Sequence, residues 1–179
     1  MNKNITLFRS IFILVAMSLI VTIVSKYVEN IKPFYKKYCA KNVLCPTFNI
    51  LFVRFIHYFM SFYFVFYYFI FSSRYDLYYV IFYTLLVFHW LLTNDCILSN
   101  WEMSYYNTKQ SIGKTPLLHP HFRVFGRDYT DYLVLVQGLL MTYSFVMVLT
   151  RSNYKHFNFL FGIVIVFLQG YLMLKDRIC

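Results

Sequence analysis

Phe48–Phe71 reads FNILFVRFIHYFMSFYFVFYYFIF. It is almost unbroken apolar and aromatic sequence, with Arg54 and His57 set inside it. A helix at the surface of a soluble core carries a polar face, and this stretch has none. About 20 consecutive apolar residues suffice to cross the hydrocarbon core of a bilayer, so the run is long enough to be a membrane span. A cation inside a span costs roughly 2.5–3.5 kcal/mol at the centre on insertion scales. Arg54 and His57 therefore require partners. They lie three residues apart and share one helix face, which must point into a bundle rather than at lipid.

The rest of the chain fits the same class. It has 179 residues, of which 60% are hydrophobic, 23% aromatic and only 13% charged. The charged fraction is about half the 25% usual in soluble proteins. Five spans are predicted: about 10–25, 47–71, 77–93, 132–149 and 157–174, with one long polar loop at 94–131. The expected fold is all-α, a polytopic transmembrane helical bundle forming a single membrane domain over 1–179. The runs lack the in-out alternation of a β-barrel. Lys3 and Arg9 precede the first apolar run, but no clear small-x-small cleavage site follows, so this segment reads as a retained anchor.

The formal net charge is +10, from 17 Lys and Arg against 7 Asp and Glu. These cations sit mostly in short segments beside spans. That placement fits orientation in the bilayer and contact with anionic lipid head groups. No basic domain with stacking aromatics stands clear of the membrane, which argues against nucleic acid. Lys26, Lys32, Lys36, Lys37, Lys41, Lys109, Lys114, Arg123, Arg127, Lys175 and Arg177 fall on one side of the five-span arrangement. Lys3, Arg9, Arg74, Arg151 and Lys155 fall on the other. The richer side should face the cytosol or its equivalent, leaving the N-terminus outside and the C-terminus inside.

At about 1.5 Å of rise per residue, Arg54 lies about 10 Å deep and His57 about 15 Å from the basic side. His89, Gln137 and Gln169 fall in the same leaflet, and the other leaflet has no comparable set. Asp95 and Glu102 are the candidate counter-ions for Arg54. Glu102 can serve if Ile97–Met103 continues as an interfacial helix. Gly138 and Gly170 adjoin the two glutamines, and small residues there allow close helix approach. The cluster reads first as a satisfied polar network that fixes helix register. A proton path, a bound head group, or a haem held by His57 and His89 are the functional alternatives. His119 and His121 with Cys96 and Glu102 match no zinc spacing, so no metal is expected. Cys39, Cys45, Cys96 and Cys179 include no CxxC pair and read as free thiols. Trp101, Tyr105 and Tyr106 read as an interfacial aromatic belt. No nucleophile–base–acid arrangement, phosphate loop or redox motif stands out.

The third span and its exit, FHWLLTNDCILSNWE, complete a pattern with the second. Arg54, His57, His89, Trp90, Cys96, Leu98, Ser99 and Glu102 together resemble a motif of small multipass membrane proteins of nucleocytoplasmic large DNA viruses. A related short motif resembles one in uncharacterised bacterial membrane proteins. The resemblance covers about a third of the chain and says nothing of the first span or the last two. It implies a protein of a virion's internal membrane that ties this membrane to the capsid through its basic loops.

The expected function is thus a non-enzymatic structural or assembly component of a membrane complex, set in a viral inner membrane. The codon bias implied by abundant Phe, Tyr, Asn and Lys also fits an accessory subunit of a mitochondrial respiratory complex, in the mitochondrial inner membrane. A membrane-embedded enzyme or haem carrier is the third reading. The topology predicts that Cys39 and Cys179 react with a membrane-impermeant maleimide from the same side. Labelling from opposite sides contradicts it.

Overall fold

The computed structural model describes residues 3–31, 47–93, 96–105, 127–151 and 155–178, and these are helical apart from short turns. Asp95, His119, His121, Cys39 and Cys45 lie outside the described residues. The helices are α1 (Lys3–Ile31), α2 (Thr47–Ile70), α3 (Asp76–Thr93), α4 (Ile97–Ser104), α5 (Arg127–Arg151) and α6 (Lys155–Ile178). A 3-10 turn at Ser73–Tyr75 joins α2 to α3. Among the described residues, four segments are long and apolar enough to cross a membrane: Leu7–Val28, Phe48–Ile70, Ser73–Thr93 and Tyr132–Arg151. In α6 the described apolar stretch is Phe161–Leu172. The all-helical fold of the described residues is the architecture of a transmembrane bundle, and four helices have the length of integral membrane spans.

The burial pattern inverts that of a soluble protein. On α1, Leu14, Ser18, Thr22 and Ser25 are buried, while Phe12, Ile20, Ile23 and Tyr27 are exposed. Small hydroxylated residues on the inner face let backbones approach, and large apolar residues face outward, toward lipid. The hydroxyls are satisfied within the helix: Ser18 Oγ donates to Leu14 O at 2.6 Å and Thr22 Oγ1 to Ser18 O at 2.7 Å. Such back-bonding removes the cost of a bare hydroxyl in an apolar medium.

The chain divides into two compact units. One comprises Met1–Ser10, Ser61–Asn94 and Val134–Cys179. Its core is aromatic: Phe64, Tyr67, Tyr79, Tyr83 and Phe145 are buried together. Tyr67 stacks on Tyr79 with centroids 4.0 Å apart, and Tyr83 on Phe145 at 4.3 Å. Stacked pairs add about 0.5–1.5 kcal/mol beyond area burial. The Tyr79 and Tyr83 hydroxyls find partners on other helices. Tyr79 donates to Phe64 O at 2.9 Å, and Tyr83 bonds to Gln169 Oε1, fastening α3 to α6. The second unit comprises Ile11–Met60 and Asp95–Leu133. Its described core includes Leu14 of α1 with Ile50, Val53 and Tyr58 of α2.

Close approach of α5 and α6 involves Gly162, a glycine not singled out in the sequence. A Cβ built at Gly162 would overlap the Leu149 side chain, whereas one at Gly170 meets nothing within 4 Å. Gly162→Leu should therefore cost about 1–3 kcal/mol by overpacking. Gly170→Ala should leave stability unchanged or slightly raised, because alanine favours helix by about 1 kcal/mol over glycine. Thermal unfolding in detergent checks both; equal melting of Gly162→Leu and the parent protein contradicts the packing.

Candidate functional site

Arg54 lies on α2 one turn beyond Ile50, on the stripe that Val53 and Tyr58 also bury, and only 2% of it is exposed. Its partner is Glu102 of α4, which is fully buried. Arg54 Nε donates to Glu102 Oε1 at 2.9 Å, and Nη2 donates to the same oxygen. Nη1 reaches Ser25 Oγ on α1 at 3.5 Å, and Ser25 in turn donates to Thr22 O at 2.8 Å. One guanidinium thus ties three helices. Breaking a buried pair by removing one partner costs about 3–5 kcal/mol, because the remaining charge is left in a medium that cannot solvate it.

Helix α4 exists to present that carboxylate. Ser99 and Glu102 are three residues apart and both buried, while Ile97 and Trp101, on the other face, are exposed. Cys96 acts as its N-cap residue: its carbonyl accepts the Asn100 N–H at 3.0 Å, the first bond of the helix. Trp101 Nε1 donates to Tyr105 Oη at 2.9 Å. That bond joins two of the predicted belt aromatics at the far end of α4.

The cap brings Cys96 Sγ to 3.9 Å from His57 Nε2. His57 sits one turn after Arg54 on α2, so both cationic side chains meet α4 from the same helix. Burial alone pushes the Cys96 thiol up. The hydrogen bond from His57, its positive charge, and the Ser99 and Leu98 N–H groups of the first helical turn outweigh burial and bring it down to about 6. A helix N-terminus and a neighbouring imidazolium are the two usual causes of a stabilised thiolate.

The carboxylate is only half used. Arg54 Nε and Nη2 both donate to Oε1, and Glu102 Oε2 is buried with no partner among the described residues. Asn100 Oδ1, on the same helix, is also buried without one. A second ion pair in the chain uses its acid fully. Arg151 of α5 donates from Nε to Asp76 Oδ2 at 2.9 Å and from Nη2 to Oδ1 at 2.6 Å. It also donates from Nη1 to Tyr68 O at 2.8 Å and stands over the Tyr68 ring at 4.8 Å. Asp76 opens α3 and Arg151 closes α5, so each charge also complements its helix dipole. The sequence did not single out this pair. Asp76 and Arg151 resemble turn charges in sequence, and Asp76 is 3% exposed.

The remaining predicted site residues belong to the first unit. Gln137 Nε2 donates to Ser61 Oγ at 3.0 Å. Gln169 accepts from Tyr83 and donates to Gly138 O at 3.3 Å, giving the expected amide contact between α5 and α6. His89 lies on α3, with Nε2 buried and unpartnered among the described residues. Glu102, one of the two proposed counter-ions, pairs with Arg54, and Asp95 lies outside the described residues. Sequence reasoning missed the Cys96–His57 contact, although both residues belong to the motif shared by the second and third spans. Among the described residues no group of three or more His, Cys, Asp and Glu is arranged to hold a metal ion.

No family model, curated protein or solved structure matches the chain.

Glu102→Leu should strip Arg54 of its buried partner and lower stability by about 3–5 kcal/mol, while carbonate extraction still finds the protein in the membrane. An unchanged melting temperature contradicts the ion pair.

Proposed function

We propose that this protein is a non-enzymatic integral membrane component of a larger assembly, acting as a structural or assembly factor. The observation that carries this reading is where the polar side chains go. Arg54–Glu102, Arg151–Asp76, Tyr83–Gln169 and Tyr79–Ser144 each join one helix to another of the same chain. Polar groups inside a membrane are expensive, and here they are spent on fixing the positions of helices. Transport and proton relay use such groups differently, lining a path rather than closing it.

The contact surface of this scaffold is its basic segments. Lys32, Lys36, Lys37 and Lys41 in one, and Lys109, Lys114, Arg123 and Arg127 in the other, would meet anionic head groups and an acidic protein partner. The resemblance of the Arg54–Glu102 motif to viral membrane proteins supports a virion's inner membrane as the setting and the capsid shell as the partner.

Membranes carrying the tagged protein, solubilised gently and sedimented, should show it in a stoichiometric complex. Replacing Lys32, Lys36, Lys37 and Lys41 together by Gln should release the protein from that complex and not from the membrane. Sedimentation of the parent protein as a lone monomer contradicts the proposal.

A further inference from the structure

Among the described residues, Cys96 sets a nucleophile against a base. The sulfur lies 3.9 Å from His57 Nε2, at the opening turn of α4 and just beyond the last residue of the third apolar span, Thr93. Cys96 is a free thiol and is only partly buried. The charged groups around the pair are Arg54 on α2 and Glu102 on α4, both close enough to act on His57 through space. The exposed surroundings of the pair are apolar: Ile97 and Trp101, on the same short helix, are exposed by 61% and 44%. A ligand suited to this place carries an electrophile that thiols attack and an apolar tail that can lie in lipid.

A long-chain acyl-coenzyme A thioester has both: a thioester carbonyl and an alkyl chain. We propose that Cys96 is an S-acylation site that takes a long-chain acyl group from acyl-coenzyme A, with His57 as its positioning base. The Cys96 thiolate attacks the thioester carbonyl carbon. A C–S bond forms to Cys96 and the C–S bond to coenzyme A breaks. The coenzyme A thiolate leaves with the proton that His57 had taken from Cys96, and no oxidation or reduction occurs. The product is a lipid chain anchored at the head of α4. It gives a second hold on the bilayer beside the Arg54–Glu102 pair and leaves the scaffold reading intact.

The test uses the full chain with Cys39, Cys45 and Cys179 replaced by Ser, so that Cys96 is its sole thiol. Incubation with alkyne-tagged palmitoyl-coenzyme A should place a hydroxylamine-labile tag on the Cys96 peptide. His57→Gln should slow tagging about a hundredfold, the effect of removing a general base. Absence of the tag, or equal rates with and without His57, overturns the proposal. Because His57→Gln could perturb folding, the pH profile of iodoacetamide alkylation is measured with His57 intact. Its midpoint should fall near 6. A midpoint near the roughly 8.5 of a free cysteine overturns it.

Discussion

A guanidinium cannot be left bare in hydrocarbon, and the second unit of this protein is organised around that constraint. Arg54 sits in an apolar helix where nothing of its own span can neutralise it. The acid that does so comes from a different helix, 48 residues further along the chain. Holding that acid requires α4 to form, to start at Cys96 and to turn Ser99 and Glu102 inward. Ser25 on α1 then fills a third position around the guanidinium. In a soluble protein such a pair would compete with water and contribute little. Inside a bundle the alternative to pairing is an unsolvated charge, so the pair specifies which helices meet.

The two ion pairs among the described residues meet the same constraint with different geometry. Asp76 engages Arg151 with both oxygens, and the carbonyl of Tyr68 takes another donor, so that acid is spent. Glu102 engages Arg54 with one oxygen and keeps the other. The first arrangement is a latch between α3 and α5. The second ties three helices through one guanidinium.

Much of this was legible in the residues, for identifiable reasons. Long apolar runs give away spans because bilayer thickness fixes their length. Arg54 announced a buried partner because its cost in a span is large and has few remedies. Seeing that Glu102 reaches Arg54 required knowing that α4 is helical, since a helix brings position 102 onto the same face as Ser99. Asp76 and Arg151 were hidden because a charge at the end of a span looks solvated in sequence whether or not it is. Gly162 and Gly170 are indistinguishable as letters; which one meets Leu149 depends on the rotation of α6. The Cys96–His57 contact depends on a cap, and neither residue type predicts the other across 39 positions.

The account stands on the coupling between Arg54 and Glu102, and a double-mutant cycle measures it directly. Arg54→Met, Glu102→Met and the double variant are compared by thermal and denaturant unfolding in one detergent. Residues paired in this way should show a coupling of about 2–3 kcal/mol, with the double variant more stable than either single one. Single effects that simply add, to within about 0.5 kcal/mol, would mean that the two side chains do not hold each other.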